Sequence, residues 1–349
     1  MNWQGQVFGA LAITTLLLGG SARAAEVELK VMHFLPAAAP AQKALIEPWA
    51  KAVEEQSGGR IAVKIYPAMQ LGGKAPQLYD QLKDGLVDVV WTLPGYTPGR
   101  FPSISVFELP FMISDAVATS QAVQEFYQTQ PTVQAELAEV HPLFLFTHAR
   151  GVIHTKGVAI EKVADLEGVK IRIPSRAVGD AFSAYGAVPV SLPLPQTPEA
   201  LSKNVIQGAV MPWEVTPSLR LYELTDHSTE LAGSRGLYTS VFLFAMNKDK
   251  YDSLPSDLKQ VIDANSGMGW AKSMGEAWEK AELPGREAAI KRGNSIVTMP
   301  ESEVGKMRSL AQPVIDSWVA DLDKSGKDGK ALLAAAQELV AKYTTQTAN

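Results

Sequence analysis

From Gly168 to Arg176 the chain reads GVKIRIPSR, with Val169, Ile171 and Ile173 on one face and Lys170 and Arg172 on the other. A two-residue period is that of a half-buried strand. Pro174 cannot donate to a ladder and predicts its end. The same period recurs at Val27, Leu29 and Val31, predicting a strand that ends at His33-Phe34, and at Ile61, Val63 and Ile65. A third strand, VDVVWTL, ends at Trp91-Thr92 and runs into the turn-rich PGYTPGRFP. Between these runs, Leu45, Trp49 and Val53, then Leu78, Leu82 and Leu86, recur at helical spacing, and Gly58-Gly59 stops the first helix. This β-α-β-α-β order predicts a parallel sheet with right-handed crossovers.

After a helical stretch around Ala116 to Val140 the order restarts. Strands are predicted at Leu143–Thr147, Val152–Thr155, Val169–Ile173, Val188–Leu192 and Ala209–Met211. QLKDGLVDVVWTLP from Gln81 and ALSKNVIQGAVMPW from Ala200 place a helix end, a strand and a proline at matching offsets. Two similar α/β lobes are therefore expected, one offering Trp91 and Thr92 at a strand end, the other Met211 and Trp213. Clefts between domains are favoured ligand sites. The last third is helical. One helix is predicted over Ser256–Arg292, kinked or broken at Pro284-Gly285, followed by a short edge strand from Ile296 and further helix over Glu301–Lys342.

The 349 residues suffice for two domains of ordinary size. A net charge of -5 and the lack of any basic run give no reason to expect nucleic acid. With no cysteine, disulfides and thiolate metal sites are excluded. Val7–Leu18 is an uncharged apolar run too short for a comfortable bilayer span, followed by small residues and Ala22-Arg23-Ala24. Residues 1–24 are expected to be a secretory signal peptide cut after Ala24, although the start MNWQGQ lacks the usual lysine or arginine. A retained anchor helix is the alternative, and a periplasmic location follows from cleavage.

Enzyme chemistry is hard to find. The chain has no GxSxG elbow, HExxH, P-loop or GxGxxG after a strand. His148 and His154 are six apart, but no carboxylate stands at a metal-ligand spacing, so no metal, cofactor or catalytic residue is expected. What stands out is Arg172, delivered near the carboxyl end of its strand, where ligands bind in open α/β sheets. A guanidinium there offers a planar fork to a carboxylate or phosphate. Trp91, Tyr96, Phe101 and Trp213 lie beside turns and could form a stacking pocket.

A run of motifs then carries a resemblance. HFLPAAAP, EPWAKAVEEQSGGRIAVKIYPAMQLGG, DGLVDVVWTLPGYTPGRFP, ELPF, GVKIRIPSR, GAVPVSLP, GAVMPWE and MNKDKYDSLP occur in order. Over essentially the whole mature chain the sequence resembles the solute-binding (DctP-type) subunit of a tripartite ATP-independent periplasmic (TRAP) transporter. The resemblance implies a two-lobed, type II-like periplasmic-binding-protein fold that closes on an organic acid, with parallel or mixed sheets flanked by helices and a long helix crossing both lobes. One lobe is expected over 25–147 plus about 239–280, the other over 148–238 plus about 281–345. The resemblance also implies that Arg172 clamps the ligand carboxylate and that Arg150, in HARGVIHT, assists. Phe34, Trp91, Thr92, Tyr96, Met211 and Trp213, with the loop residues Gln70 and Ser175, complete the expected site. Met211 replaces the asparagine of sialic-acid-type members and points to a less hydroxylated ligand. Gln207 replaces the usual aspartate before Gly208. The expected partners are a small carboxylate and the TRAP membrane subunits, with the protein itself a monomer. A secreted two-lobed enzyme, such as a lyase with an arginine-clamped substrate, and a ligand-presenting subunit of a sensor are the alternatives.

Overall fold

The computed structural model describes residues 25–347, so the expected leader lies outside the described residues. Strands come first at β1 (Val27–His33), β2 (Ile61–Tyr66), β3 (Val89–Thr92) and β4 (Val140–Thr147). A second group comprises β5 (Val152–Thr155), β6 (Lys170–Ile173), β7 (Val188–Ser191), β8 (Gly208–Met211) and β9 (His227–Leu231). The last two are β10 (Val241–Asn247) and β11 (Ser295–Met299). They form two sheets, of order β2-β1-β3-β10-β4 and β11-β9-β5-β8-β6-β7. The first sheet is the floor of one lobe and the second of the other.

Both sheets are mixed. β10 inserts between β3 and β4 and runs antiparallel to each, and β5 runs antiparallel to β8 and β9. The parallel pairing expected from the β-α-β order holds for β1 with β2 and β3, and the antiparallel strands give the mixed character. β10, VFLFAMN, is buried at every position. A strand covered on both faces reads as a continuous apolar run without a period, which is why alternation does not reveal it. β9 is short and polar, HSTEL, and carries no apolar stripe to find.

Two of the segments that carry the chain between the lobes, 148–151 and 232–240, lie side by side. They are bonded to each other: Gly151 N–H donates to the Tyr238 carbonyl at 3.0 Å, and the Thr239 hydroxyl donates to the His148 carbonyl at 2.8 Å. A Cβ on Gly151 would lie 2.0 Å from the Tyr238 ring, so only glycine lets these segments meet here.

The helix expected over Ser256–Arg292 exists but breaks elsewhere. One helix covers Ser256–Ala264 and a second Met268–Arg292, with Gly267 between them at φ 79°, a conformation open to glycine. Pro284 lies inside the second helix, which continues through it. At about 1.5 Å per residue the 25-residue helix is roughly 37 Å long. It packs on the helix Ala116–Thr129 and β4 of the first lobe and on the turn Trp213–Val215 of the second. The helix Glu301–Lys324 places Val304, Met307 and Ala311 in the second lobe's core, while its Trp318 indole donates to the Ser105 hydroxyl of the first lobe at 2.9 Å. The terminal helix Gly329–Thr347 packs on Ala116–Thr129. The segment of about 281–345 expected in the second lobe is thus divided, with its terminal helix on the first.

Candidate ligand-binding site

β6 pairs with β7 on one side and β8 on the other, so Arg172 stands within a sheet and not at its edge. The residue is only 2% exposed. Nε donates to the Leu192 carbonyl at 2.8 Å and Nη1 to the Val210 carbonyl at 3.2 Å. Nη2 has no partner. Two backbone carbonyls thus hold the fork in one orientation and leave Nη2 unused. A buried cation without an anion is costly, so a negative charge would be favoured beside this group.

A small cavity of about 30 Å³ lies against it, far below the roughly 300 Å³ at which small-molecule sites begin, so the lobes must part to admit a ligand. Phe34 stacks on Trp91 with centroids 4.7 Å apart, Tyr96 meets Phe34 edge-on at 5.5 Å, and Phe242 leans on Trp91 at 4.9 Å. Met211 and Pro174 line it from the second lobe. The lobes touch across it, since the Leu194 N–H donates to the Tyr96 hydroxyl at 3.0 Å. Burial holds the Tyr96 phenol above its ordinary range, with Arg172 pulling the other way.

His148 also lines the cavity. Its Nε2 accepts the Ser240 N–H at 2.9 Å, and its Nδ1 faces the Ala149 carbonyl, which fixes a neutral ring with the proton on Nδ1. Burial pushes its pKa down to about 3. Both nitrogens are committed to backbone, so the ring has no free base to offer a ligand. Glu214 lies on the cavity wall, and Glu108 beside the neighbouring cleft where Gly95 meets Ser175. Burial pushes the Glu108 carboxyl up to about 7, against the pull of the Ser175 hydroxyl. Among the described residues no group of three or more His, Cys, Asp or Glu could hold a metal ion.

Of the residues expected from sequence, Arg172, Phe34, Trp91, Tyr96 and Met211 come together around this cavity. Ser175 stands in the adjoining cleft against Gly95. The other four are elsewhere. Arg150 donates to the carbonyls of Ser114, Gly233 and Ser234, so it fastens the segments between the lobes and has no free fork for a ligand. Trp213 turns into the second lobe, where its indole donates to Glu230 at 3.0 Å and meets His154 edge-on. Thr92 is buried next to Trp91 in β3, and strand alternation sends it to the other face. Gln70 is exposed in a loop. Tyr238, Ser240, Phe242, His148 and Glu214 also line the cavity and escape sequence reasoning. Three of these belong to β10 or the segment entering it, the strand without a readable period.

A two-lobed α/β protein that aims an unused arginine donor into an apolar interlobe cavity is a solute-binding protein in form. The chain belongs to the bacterial extracellular solute-binding protein family 7, whose profile matches residues 31–321, and it is of the TRAP type. It is similar to a TRAP solute-binding protein from an unidentified marine microbe, described as specific for aromatic acid ligands and in complex with metahydroxyphenylacetate. Identity is 45%, the TM-score is 0.89, and coverage is 91% of this chain and 99% of that one. A TRAP solute-binding protein from Rhodoferax ferrireducens, in complex with copurified benzoate, is 43% identical with a TM-score of 0.90 over 92% of this chain and 99% of its own. The ectoine/5-hydroxyectoine-binding periplasmic protein UehA of Ruegeria pomeroyi is 28% identical over 73% of this chain and 74% of its length. No helix among the described residues is long and apolar enough to cross a membrane.

Proposed function

We propose that this protein captures a small aromatic monocarboxylate in the periplasm and presents it to the membrane subunits of a TRAP transporter. The observation that carries the reading is the unpartnered Nη2 of Arg172 facing a cavity walled by Phe34, Trp91, Tyr96 and Phe242. A carboxylate supplies the missing charge, and an aromatic ring, admitted as the lobes part, would meet apolar walls where a hydroxyl-rich acid would strand its hydroxyls at about 1–3 kcal/mol each. The aromatic acids held by the two relatives at 43% and 45% identity support the same class. Met211 fits it too, since a thioether packs well on a ring edge. An enzymatic role is disfavoured because the histidine beside Arg172 has both nitrogens engaged.

Calorimetry tests this with benzoate, its hydroxylated analogues and glucuronate on the mature protein. Benzoate-type acids should bind and glucuronate should not. Arg172→Ala should lose roughly 2–5 kcal/mol of affinity as a buried charge pair is removed, and Arg172→Lys should also lose affinity because it keeps the charge without the fork. Tight binding of glucuronate with the aromatic acids inert would overturn the ligand class, and wild-type affinity in Arg172→Ala would remove the clamp.

A further inference from the structure

The cavity holds a second polar group that a simple aromatic carboxylate leaves unserved. Glu214 comes after β8 across Pro212, in the turn Trp213–Val215. Its backbone is fixed from outside the cavity: the Glu214 N–H donates to Glu282 at 2.9 Å and the Trp213 N–H to the same carboxylate at 3.2 Å. The side chain is therefore not needed to hold the turn. It lines the cavity with 5% exposure, and its Oε2 has no hydrogen-bond partner. The indole N–H of Trp278 lies beside it without a bond of normal geometry. Most of the remaining wall is apolar, so an orphaned carboxyl here is a cost that folding alone does not explain.

We propose that Glu214 is a specificity-determining residue that selects aromatic acids carrying a ring hydroxyl, with Arg172 holding the carboxylate and Glu214 hydrogen-bonding the hydroxyl; this rests on the aromatic-acid reading above. The two groups divide the labour by charge. Burial and the neighbouring Glu282 hold the Glu214 carboxyl well above its ordinary range, with Trp278 pulling the other way. In its protonated form the carboxyl adds no second negative charge next to the bound anion. It can also both donate and accept, which matches a phenol that does the same. Benzoate satisfies Arg172 and leaves Glu214 orphaned. A site built to bond a hydroxyl discriminates against the analogue that lacks it.

The experiment is a pair of affinities, for benzoate and for meta-hydroxybenzoate, on wild type and on Glu214→Leu. The wild type should favour the hydroxylated acid by about tenfold, the scale of one hydrogen bond to an otherwise unpaired buried group. In Glu214→Leu that ratio should fall to about one. Benzoate binding with a wild-type ratio near one, or an unchanged ratio in the variant, overturns the role of Glu214 and leaves the aromatic-acid reading standing. If neither acid binds, both fall together. Should Glu214→Leu not fold, infrared difference spectra of the wild type decide. A protonated-carboxyl band, assigned by its loss in Glu214→Gln, should shift on adding meta-hydroxybenzoate and not on adding benzoate. A band that stays in place with both ligands bound overturns the proposal.

Discussion

Trp91 is the residue best placed to report a ligand. It stacks on Phe34, touches Phe242 and lies on the cavity wall, while its indole nitrogen has no partner. Trp213, at the corresponding strand end of the other lobe, is turned away and bonded to Glu230. A bound aromatic acid should therefore change the intrinsic tryptophan emission. Trp91→Phe should remove most of that change and Trp213→Phe should leave it in place. Equal responses from the two variants would show that the signal arises elsewhere. The same pair marks how far sequence reaches at this scale. Strand ends before proline locate Arg172, Trp91 and Met211, because a strand's carboxyl end is a place and not a contact. The facing of each side chain depends on the turn beyond the strand: after Met211, Pro212 starts a short turn that rotates Trp213 out and Glu214 in. Arg150 is the right residue type near the right strand, yet three carbonyls claim it. Such partners are 36 to 84 residues away in sequence and leave no local trace.

Among the elements, the crossing helix Met268–Arg292 does the most to relate the two lobes. It approaches each through a glycine and binds each through a glutamate. A Cβ on Gly275 would lie 2.6 Å from the Ala116 carbonyl of the first lobe, and one on Gly285 would lie 2.0 Å from the Trp213 carbonyl of the second. Glu279 accepts the Ala116 N–H at 2.6 Å, and Glu282 accepts those of Trp213 and Glu214. Pro284 survives in this helix because it forfeits the bond to Lys280 on a face where Lys280 and Leu283 are exposed and water can serve the carbonyl. The chemistry of proline alone predicts a break, whereas the side of the helix it occupies depends on packing. Gly285→Ala tests the contact. Helix propensity alone favours alanine by about 1 kcal/mol. A 2.0 Å approach to backbone cannot be relieved by a side-chain rotation, so overpacking of about 1–3 kcal/mol should win. The variant should melt lower, and because the turn that moves carries Glu214, it should also bind aromatic acids more weakly. A melting temperature at or above wild type would mean that the helix shifts freely on the second lobe.

For the whole molecule the question is what brings the lobes together, and Gly95 offers a place to ask it. It belongs to the turn Pro94–Tyr96 of the first lobe. A Cβ there would lie 2.8 Å from the Ser175 Cβ of the second lobe and 3.2 Å from Glu108 Oε2. Gly95 has no positive φ, so its backbone accepts alanine, and the collision is made across the cleft. If the lobes part when the site is empty, the collision exists only in the closed form. Alanine should then burden closure by about 1–3 kcal/mol, while the open form keeps only the looser approach to Glu108 of its own lobe. A ligand whose binding depends on closure bears that difference as lost affinity, about tenfold for each 1.4 kcal/mol. Gly95→Ala should accordingly weaken benzoate binding while the ligand-free protein melts at the wild-type temperature. Adding Ser175→Gly removes the Cβ that is struck and should restore much of the affinity, so the two substitutions should couple in a double-mutant cycle. If Gly95→Ala instead lowers the ligand-free melting temperature and Ser175→Gly repairs it, the lobes are already in contact without ligand, and closure is not the step that Gly95 serves.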